Sequence, residues 1–418
     1  MKQIFIIPCI MLVMSLGLVS CSDNDDDAPV VQTELTTPTV SWPLTRAQQA
    51  QVQGLNDFAL RLLRTTVSHG DGRSIVMSPL SAAYVLGMAA DGADGETRNE
   101  ITATLGFRRG DAQAVDDLCA SLISHTRTDG GCMHVANALF VKQGAELKQQ
   151  FQARLTDAYD AEIAEVDFTQ DATLDRINAW AEQHTNGMIP SILDDISPST
   201  ALCLINAVCM KAEWQQPFNA AHTGNKLFYF ADRTSDFIPT MSQTAKMDYT
   251  TTAKGKLLQM PYKGGRYAMN IFLPNENISP LEALGTMSGS ELCDLTESMQ
   301  PTQVNVQLPL ITTESDHDMS PLLKEMGIIT AFDKDKADFH NITDTKNIFI
   351  NKIFQKAIMR VDEAGTEAAA VTIVTGDIWD AGLERPIPVN FYANHQFLYF
   401  ITDRDSGVII FIGIYNGE

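Results

Sequence analysis

Residues 363–375 read Glu-Ala-Gly-Thr-Glu-Ala-Ala-Ala-Val-Thr-Ile-Val-Thr. They follow an apolar, strand-like run ending at Val361 and lead into residues with no firm structural signal. Such a stretch suits a plain linker, and it suits equally a strand that has no sheet. Thr366, Ala368, Ala370, Thr372 and Val374 alternate with Glu367, Ala369, Val371, Ile373 and Thr375, so one face is small enough to slide between packed neighbours. The β-branched run Val371 to Thr375 favours an extended backbone. Gly365, beside the upstream strand, is expected to supply the dihedral freedom of a hinge. A strand-competent segment on a glycine hinge is a candidate moving part.

The rest of the chain is large enough to hold a sheet for it. With 418 residues, 44% hydrophobic and 20% charged, the composition describes a globular chain with a sizeable core. Its formal charge of −22 argues against nucleic acid or an anionic membrane surface as partner.

The N-terminus has its own signature. Lys2 precedes the apolar run Ile4 to Val19, and Leu18-Val-Ser-Cys21 then sets small residues before a cysteine. The run is too short for a membrane span and reads as a signal peptide over residues 1–20. Leu18 to Cys21 resembles a bacterial lipobox, which implies acylation of Cys21. Cleavage there removes Lys2 alone among the charged groups, leaving −23. The acidic run Ser22 to Asp27 and the Thr-, Val-, Pro- and Gln-rich tract after it make residues 21–48 a solvated tether. The acid run lacks the spacing and glycine of a calcium loop. Acid directly after a lipidated cysteine resembles a surface-export signal, so the expected location is the outer membrane, facing outward, with the lipid as the membrane contact.

Residues 49–418 read as one domain, because no later stretch is rich enough in Pro, Gly or Ser to mark a boundary. Helical spacing is visible from Ala47 to Thr65, Ala82 to Ala90, Asp94 to Leu105, Ala112 to Ser124, Gln149 to Tyr159, Leu174 to Asn186 and Met319 to Met326. Strands are expected at Val135 to Val141, Ala201 to Cys209, Leu257 to Met260, Tyr267 to Leu273, Val304 to Leu308, Ile348 to Ile350 and Phe397 to Ile401, several of them apolar throughout. Helices come mainly first and strands mainly later, which argues for an α+β fold.

The chain carries little that could do catalysis. It has no G-x-S-x-G elbow, no Gly-rich phosphate loop, no H-E-x-x-H and no CxxC. Its eight histidines are scattered, and the five cysteines after Cys21 sit mostly among apolar residues, as small core residues do. No metal, cofactor or catalytic residue is expected. Ser78, before Pro79, suits a helix cap better than a nucleophile. Asn137 and Asn206 interrupt apolar runs, and a buried amide needs partners. They either satisfy each other and nearby backbone, or form a latch between strands that later separate.

From about Asn56 to Gly417 the chain resembles a serpin. The resemblance is carried by Ser78-Pro-Leu-Ser81, Gly92-Ala-Asp-Gly-Glu-Thr97, Ala136-Asn-Ala-Leu-Phe140, Ile177-Asn-Ala-Trp180, Thr185-Asn-Gly-Met-Ile189, Leu204-Ile-Asn-Ala207, Lys211-Ala-Glu-Trp214, Met260-Pro-Tyr-Lys-Gly264, Leu308-Pro309, Ala337-Asp-Phe339, Asp362 to Ala370 and His395 to Phe400. It implies three β-sheets, about eight or nine helices and an exposed reactive centre loop. It also implies a single-use inhibitor of serine, and secondarily cysteine, endopeptidases. The protease acylates itself on the loop, the loop inserts as a new strand of the main sheet, and the dragged protease is distorted before it deacylates. The alternative is a non-inhibitory serpin that binds or carries a ligand at the surface.

Carried over by position, the loop hinge is Glu363, Gly365, Thr366, Glu367, Ala368, Ala369 and Ala370. The residues governing opening of the main sheet are Ser78, Asn206, Trp214 and Gln355. Gln355 stands where the family commonly has histidine; an amide can bond the latch near Asn206 but cannot ionise, so a pH-sensitive latch is not expected there. Ser74, Ala212-Glu213 and Gln396 are further departures, none in the hinge. Sixteen residues on from Glu363 the scissile bond falls at Trp379-Asp380; spacing back from Phe397 points to Gly382 to Arg385, with Leu383-Glu384 the alternate. Trp379 suits a chymotrypsin-like protease, whereas Leu383 suits an elastase-like one. Subtilisin-like proteases are further candidates, and the protein is expected to act as a monomer.

Overall fold

The computed structural model describes residues 38–344, 348–366 and 387–417, which belong to one compact unit spanning Thr36–Glu418. In chain order its helices are α1 (Arg46–His69), α2 (Pro79–Gly92), α3 (Gly95–Thr104), α4 (Ala112–Thr126), α5 (Gln149–Tyr159), α6 (Asp171–His184), α7 (Pro280–Leu284), α8 (Gly289–Glu297) and α9 (Met319–Glu325). The strands are β1 (Ile75–Met77), β2 (Met133–Lys142), β3 (Glu162–Val166), β4 (Leu202–Met210), β5 (Ala212–Glu213), β6 (Gly224–Tyr229), β7 (Ser235–Thr252) and β8 (Gly255–Pro261). They continue with β9 (Tyr267–Pro274), β10 (Gln300–Pro309), β11 (Ile311–Asp318), β12 (Phe354–Val361), β13 (Gly365–Thr366), β14 (Val389–Tyr392), β15 (Phe397–Asp403) and β16 (Ile409–Tyr415). The expected α+β class and three sheets are present among the described residues.

One sheet has nine strands, ordered β1-β16-β15-β9-β8-β7-β10-β14 with β6 beside β7. The other two have four strands (β11-β12-β13-β5) and three (β3-β2-β4). Only Lys211 separates β4 from β5, so these two share a chain that runs from one into the other. Together they form a wedge, joined at the β5 end by β13 and unjoined, among the described residues, where β4 and β12 run alongside.

Local sequence explains the helices that frame this wedge. Thr45 caps α1 reciprocally with Gln48, the Gln48 N–H donating to Thr45 Oγ1 at 3.2 Å and the Thr45 N–H to Gln48 Oε1 at 3.0 Å. The periodic Val52, Leu55, Phe58, Ala59, Leu62 and Leu63 are all buried. Helix α2 opens with the Ser78 cap and Pro79, and every one of its residues is buried, because it lies between β4 on one side and β16 on the other. No described helix is long and apolar enough to cross a membrane.

One expectation on the chain is corrected. Ile348 to Ile350 is not a strand: Ile350 N–H donates to Ala331 O in an irregular segment, and the strand is β12, starting at Phe354. Ahead of residue 49 the described chain packs on α4. The Thr39 N–H donates to Asp117 Oδ1 at 2.7 Å, the Ser41 N–H donates to Ser121 Oγ at 3.1 Å, and Trp42 stacks on His125, all on α4.

Candidate functional site: the hinge and the slot beneath it

β13 consists of two residues of the stretch quoted at the outset. Gly365 pairs with Glu213 and Thr366 with Ala212 on β5, while Thr366 pairs with Val361 on β12, antiparallel on both sides. The reversal that puts β13 beside β12 is made by Asp362. Its Oδ1 accepts from the N–H groups of Ala364 (2.8 Å) and Gly365 (3.0 Å), and its own N–H donates to Gly365 O at 2.9 Å.

Gly365 serves a different purpose from the one expected. Its φ is not in the left-handed region, so dihedral freedom is not what the position needs. A Cβ there would lie 2.0 Å from Ala212 O and 2.8 Å from Glu213 Cα. Only glycine lets the two backbones approach closely enough to pair.

Around this turn the chain is held at both ends. Glu363 Oε1 accepts from Thr223 Oγ1 at 2.5 Å, and its carbonyl accepts from Phe218 N–H at 2.8 Å. Trp214 donates its backbone N–H to Ala364 O at 2.8 Å and its indole N–H to Asp362 O at 2.9 Å. Its ring stacks on Tyr262 with centroids 4.4 Å apart. Thr366 is 2% exposed, and its hydroxyl is 2.5 Å from that of Tyr262. Burial pushes the Tyr262 phenol well up, so it stays a neutral hydrogen-bonding group.

Below β13 lies a cavity of about 60 Å³ between β4 and β12. Leu204, Ile205 and Asn206 line one side, Ile353 to Gln355 the other, and Ser81, Ala82 and Val85 of α2 the floor. Asn206 donates to Asn137 Oδ1 at 2.8 Å across β2 and β4, and Asn137 donates to Tyr159 O at 2.7 Å. The two amides thus satisfy each other in part, but Asn206 Oδ1 is buried without a partner among the described residues. Gln355 does not reach Asn206. Its Oε1 accepts from Ser78 N–H at 3.0 Å and its Nε2 donates to Ser78 O at 2.7 Å, while Ser78 Oγ donates to Ile410 O at 2.8 Å. Gln355 therefore ties β12 to the start of α2 and makes no bond to the β4 side of the slot.

Nothing in this arrangement is suited to nucleophilic or metal chemistry. No disulfide joins the five described cysteines; burial pushes the Cys119 thiol well up and the Cys203 thiol to about 12. His125, Asp403 and Asp405 bring potential ligand atoms within 4.8 Å of one another, yet Arg266 Nη2 is 3.2 Å from Asp403 Oδ2 and already meets its charge. What the geometry can do is receive a strand: β5 and β12 both face β13, and both pair with it in the antiparallel sense.

Of the site residues read from sequence, the structure gathers Glu363, Gly365, Thr366 and Trp214 at the head of the slot and Ser78, Asn206 and Gln355 at its middle. Glu367, Ala368, Ala369, Ala370, the scissile pairs Trp379-Asp380 and Leu383-Glu384, and Cys21 lie outside the described residues. Sequence reasoning passed over Asp362 and Tyr262, although each falls within a quoted motif. Asp before a small-residue run is a turn signal; the Tyr262 contact joins residues 104 apart and leaves no local trace.

The family model described as Serpin (serine protease inhibitor) matches residues 53–417. The chain is 32% identical over 385 residues to an uncharacterized serpin-like protein of Thermococcus kodakarensis, covering 90% of this chain and 88% of that one. It is 30% identical to intracellular coagulation inhibitor 2 of Tachypleus tridentatus, covering 88% and 91%. Among solved structures, the thermophilic serpin tengpin in its native state superposes with a TM-score of 0.81 at 28% identity, over 91% of this chain and 97% of that one.

Proposed function

This chain belongs to the serpin family, most members of which inhibit proteases rather than act as enzymes, and from that premise we propose that it is a suicide-substrate inhibitor of serine endopeptidases, with cysteine endopeptidases as secondary targets. The observation that carries the reading is β13: the first two loop residues already occupy the position of a new strand between β5 and β12. A strand continuing from Thr366 in the same register would set residue 368 against Met210 and Met359, residue 370 against Val208 and Ala357, and residue 372 against Asn206 and Gln355. Met210, Val208, Met359 and Ala357 are buried, so alanine at 368 and 370 is what that space admits. Thr372 would arrive beside the unpartnered Asn206 Oδ1 with a hydroxyl donor.

Two new ladders of on the order of ten hydrogen bonds, each worth about 1 kcal/mol net, make the inserted state the more stable one. The loop-out state is then a kinetic trap. Displacement of the acyl-protease's catalytic groups by about 1 Å is enough to slow deacylation by orders of magnitude. Trp379-Asp380 is our choice of scissile bond and a chymotrypsin-like enzyme our choice of target, with Leu383-Glu384 and elastase- or subtilisin-like enzymes as alternates. We assign Cys21 as the acylated anchor of an outer-membrane protein acting as a monomer. Incubation with a protease and denaturing electrophoresis tests the reading through the covalent complex.

A second reading, a non-inhibitory binding protein, is favoured by a cavity of about 580 Å³ between α1, α8 and the β15–β16 turn, lined by Val52, Asn56, Leu292, Met299, Phe400 and Arg404 among others. Ligand occupancy there without any protease complex would support it.

A further inference from the structure

Beneath the slot, three helices meet around two buried carboxyl groups. Asp91 near the end of α2 is 6% exposed and Asp116 of α4 is fully buried. Asp116 Oδ2 accepts from Arg154 Nη1 of α5 at 2.7 Å, and its Oδ1 accepts from the Tyr159 hydroxyl at 2.8 Å. Asp91 Oδ2 is buried with no donor among the described residues, and its carboxyl interacts with that of Asp116. Two carboxylates offer each other only acceptors, so that contact is a bond only if one of them carries a proton.

Charge counting gives the same answer. Among the described residues, Arg154, 4% exposed, is the guanidinium in direct contact with the pair, through Asp116. Arg98 of α3 is turned to Asp94 at 3.6 Å and to Ala90 O at 3.2 Å. Asp117 accepts from Thr39 N–H, and Cys119 and Tyr159 are neutral, held so by burial. With one proton the site is neutral; without it a negative charge is buried unpaired, which costs several kcal/mol by the usual measure for a buried ion. Burial first and Asp116 second push Asp91 well above the usual carboxylate range, and burial lifts Asp116 to about 6 against the pull of Arg154.

The pair is wired to the slot. Asn206 donates to Asn137, Asn137 donates to the carbonyl of Tyr159, and the hydroxyl of the same Tyr159 donates to Asp116. We propose that Asp91 and Asp116 share one proton at neutral pH, and that losing it loosens the seam of α2, α4 and α5 on which the β2–β4 half of the main sheet rests. Stability drawn from this site is complete below the unfolded carboxyl range and falls as pH rises toward the titration of the folded pair. On the inhibitory reading, alkaline conditions also shorten the life of the loop-out state.

The test compares the full-length protein with Asp91→Asn, which keeps the shape and the donor of a protonated acid but cannot titrate. Unfolding is followed by denaturant between pH 5 and 9. The expected result is a wild-type folding constant that declines relative to the variant by up to about tenfold per pH unit while the extra proton is held. Infrared spectra of the wild type should show a protonated carboxylic-acid band at neutral pH, absent in Asp91→Asn; this measurement on the wild type stands even if the variant fails to fold. Parallel pH curves, or no acid band in the wild type, would overturn the proposal. Neither measurement involves a protease, so failure here is distinct from failure of the inhibitory reading.

Discussion

The hydroxyl of Tyr262 lies 2.5 Å from that of Thr366, and both are buried at the head of a slot between two strands. Through its ring Tyr262 also stacks on Trp214, whose backbone and indole N–H groups hold Ala364 and Asp362. One aromatic pair thus fixes both the turn and the first inserted residue. Tyr262→Phe keeps the stack and removes the hydroxyl contact. It is expected to cost about 1 kcal/mol in denaturant unfolding, whereas Trp214→Ala, which loses the stack, the packing and the indole bond, should cost about 3–5 kcal/mol.

Gly365→Val should prevent β13 from forming, because the new Cβ would fall 2.0 Å from Ala212 O. Folding should survive, since the residue lies at the edge of the wedge. The yield of covalent complex per loop cleaved should fall by at least about tenfold, and the variant should behave as a substrate. Complex yields equal to wild type would remove close approach as the reason for glycine.

Gln355→Leu deprives the Ser78 N–H of its partner and the Ser78 carbonyl of one of its two, the Ala82 N–H remaining, while keeping the volume. Leaving a buried backbone N–H unpaired costs about 1–3 kcal/mol. Ser78→Ala loses the cap of α2 and the bond to Ile410 O, and should cost about 1–2 kcal/mol. Both values are read from denaturant midpoints.

The non-ionising amide of Gln355 does not free the region of titration, because His317 on β11 sits directly opposite it in register. Burial holds the His317 imidazole below its ordinary value, and its Nε2 has no partner among the described residues. A base depressed on folding favours its neutral form, so stability is lost as pH falls below the unfolded value of about 6.5 toward the folded one. His317→Gln should flatten the acid limb of the stability curve between about pH 6.5 and 5; an unchanged limb would clear His317 of the effect.

Much of this was legible in the chain because the signals are local. Gln149–Tyr159 has the predicted bounds, and Ser78-Pro79 marks the start of α2. Helices α7 and α8 went unread although Ser279/Glu282 and Ser288/Glu291 have capping spacing. Strand β7, Ser235–Thr252, was invisible because it is mostly polar and only Thr240, Met241 and Met247 are buried along it. At the site, residue identities were readable and their partners were not. Gln355 was expected near Asn206 and bonds Ser78 instead, and the close approach that demands Gly365 involves a strand about 150 residues away, which no local pattern encodes.

On the inhibitory reading, residues beyond Thr366 follow it into the slot once the loop is cut. The most direct measurement is mass spectrometry and denaturing electrophoresis after brief incubation with a chymotrypsin-like protease, repeated with elastase- and subtilisin-like enzymes. The expected products are a covalent protease complex and a released C-terminal peptide beginning at Asp380, or at Glu384 if the alternate bond is used. Ordinary turnover of the loop by all three enzymes, with free active protease and no complex, would contradict it.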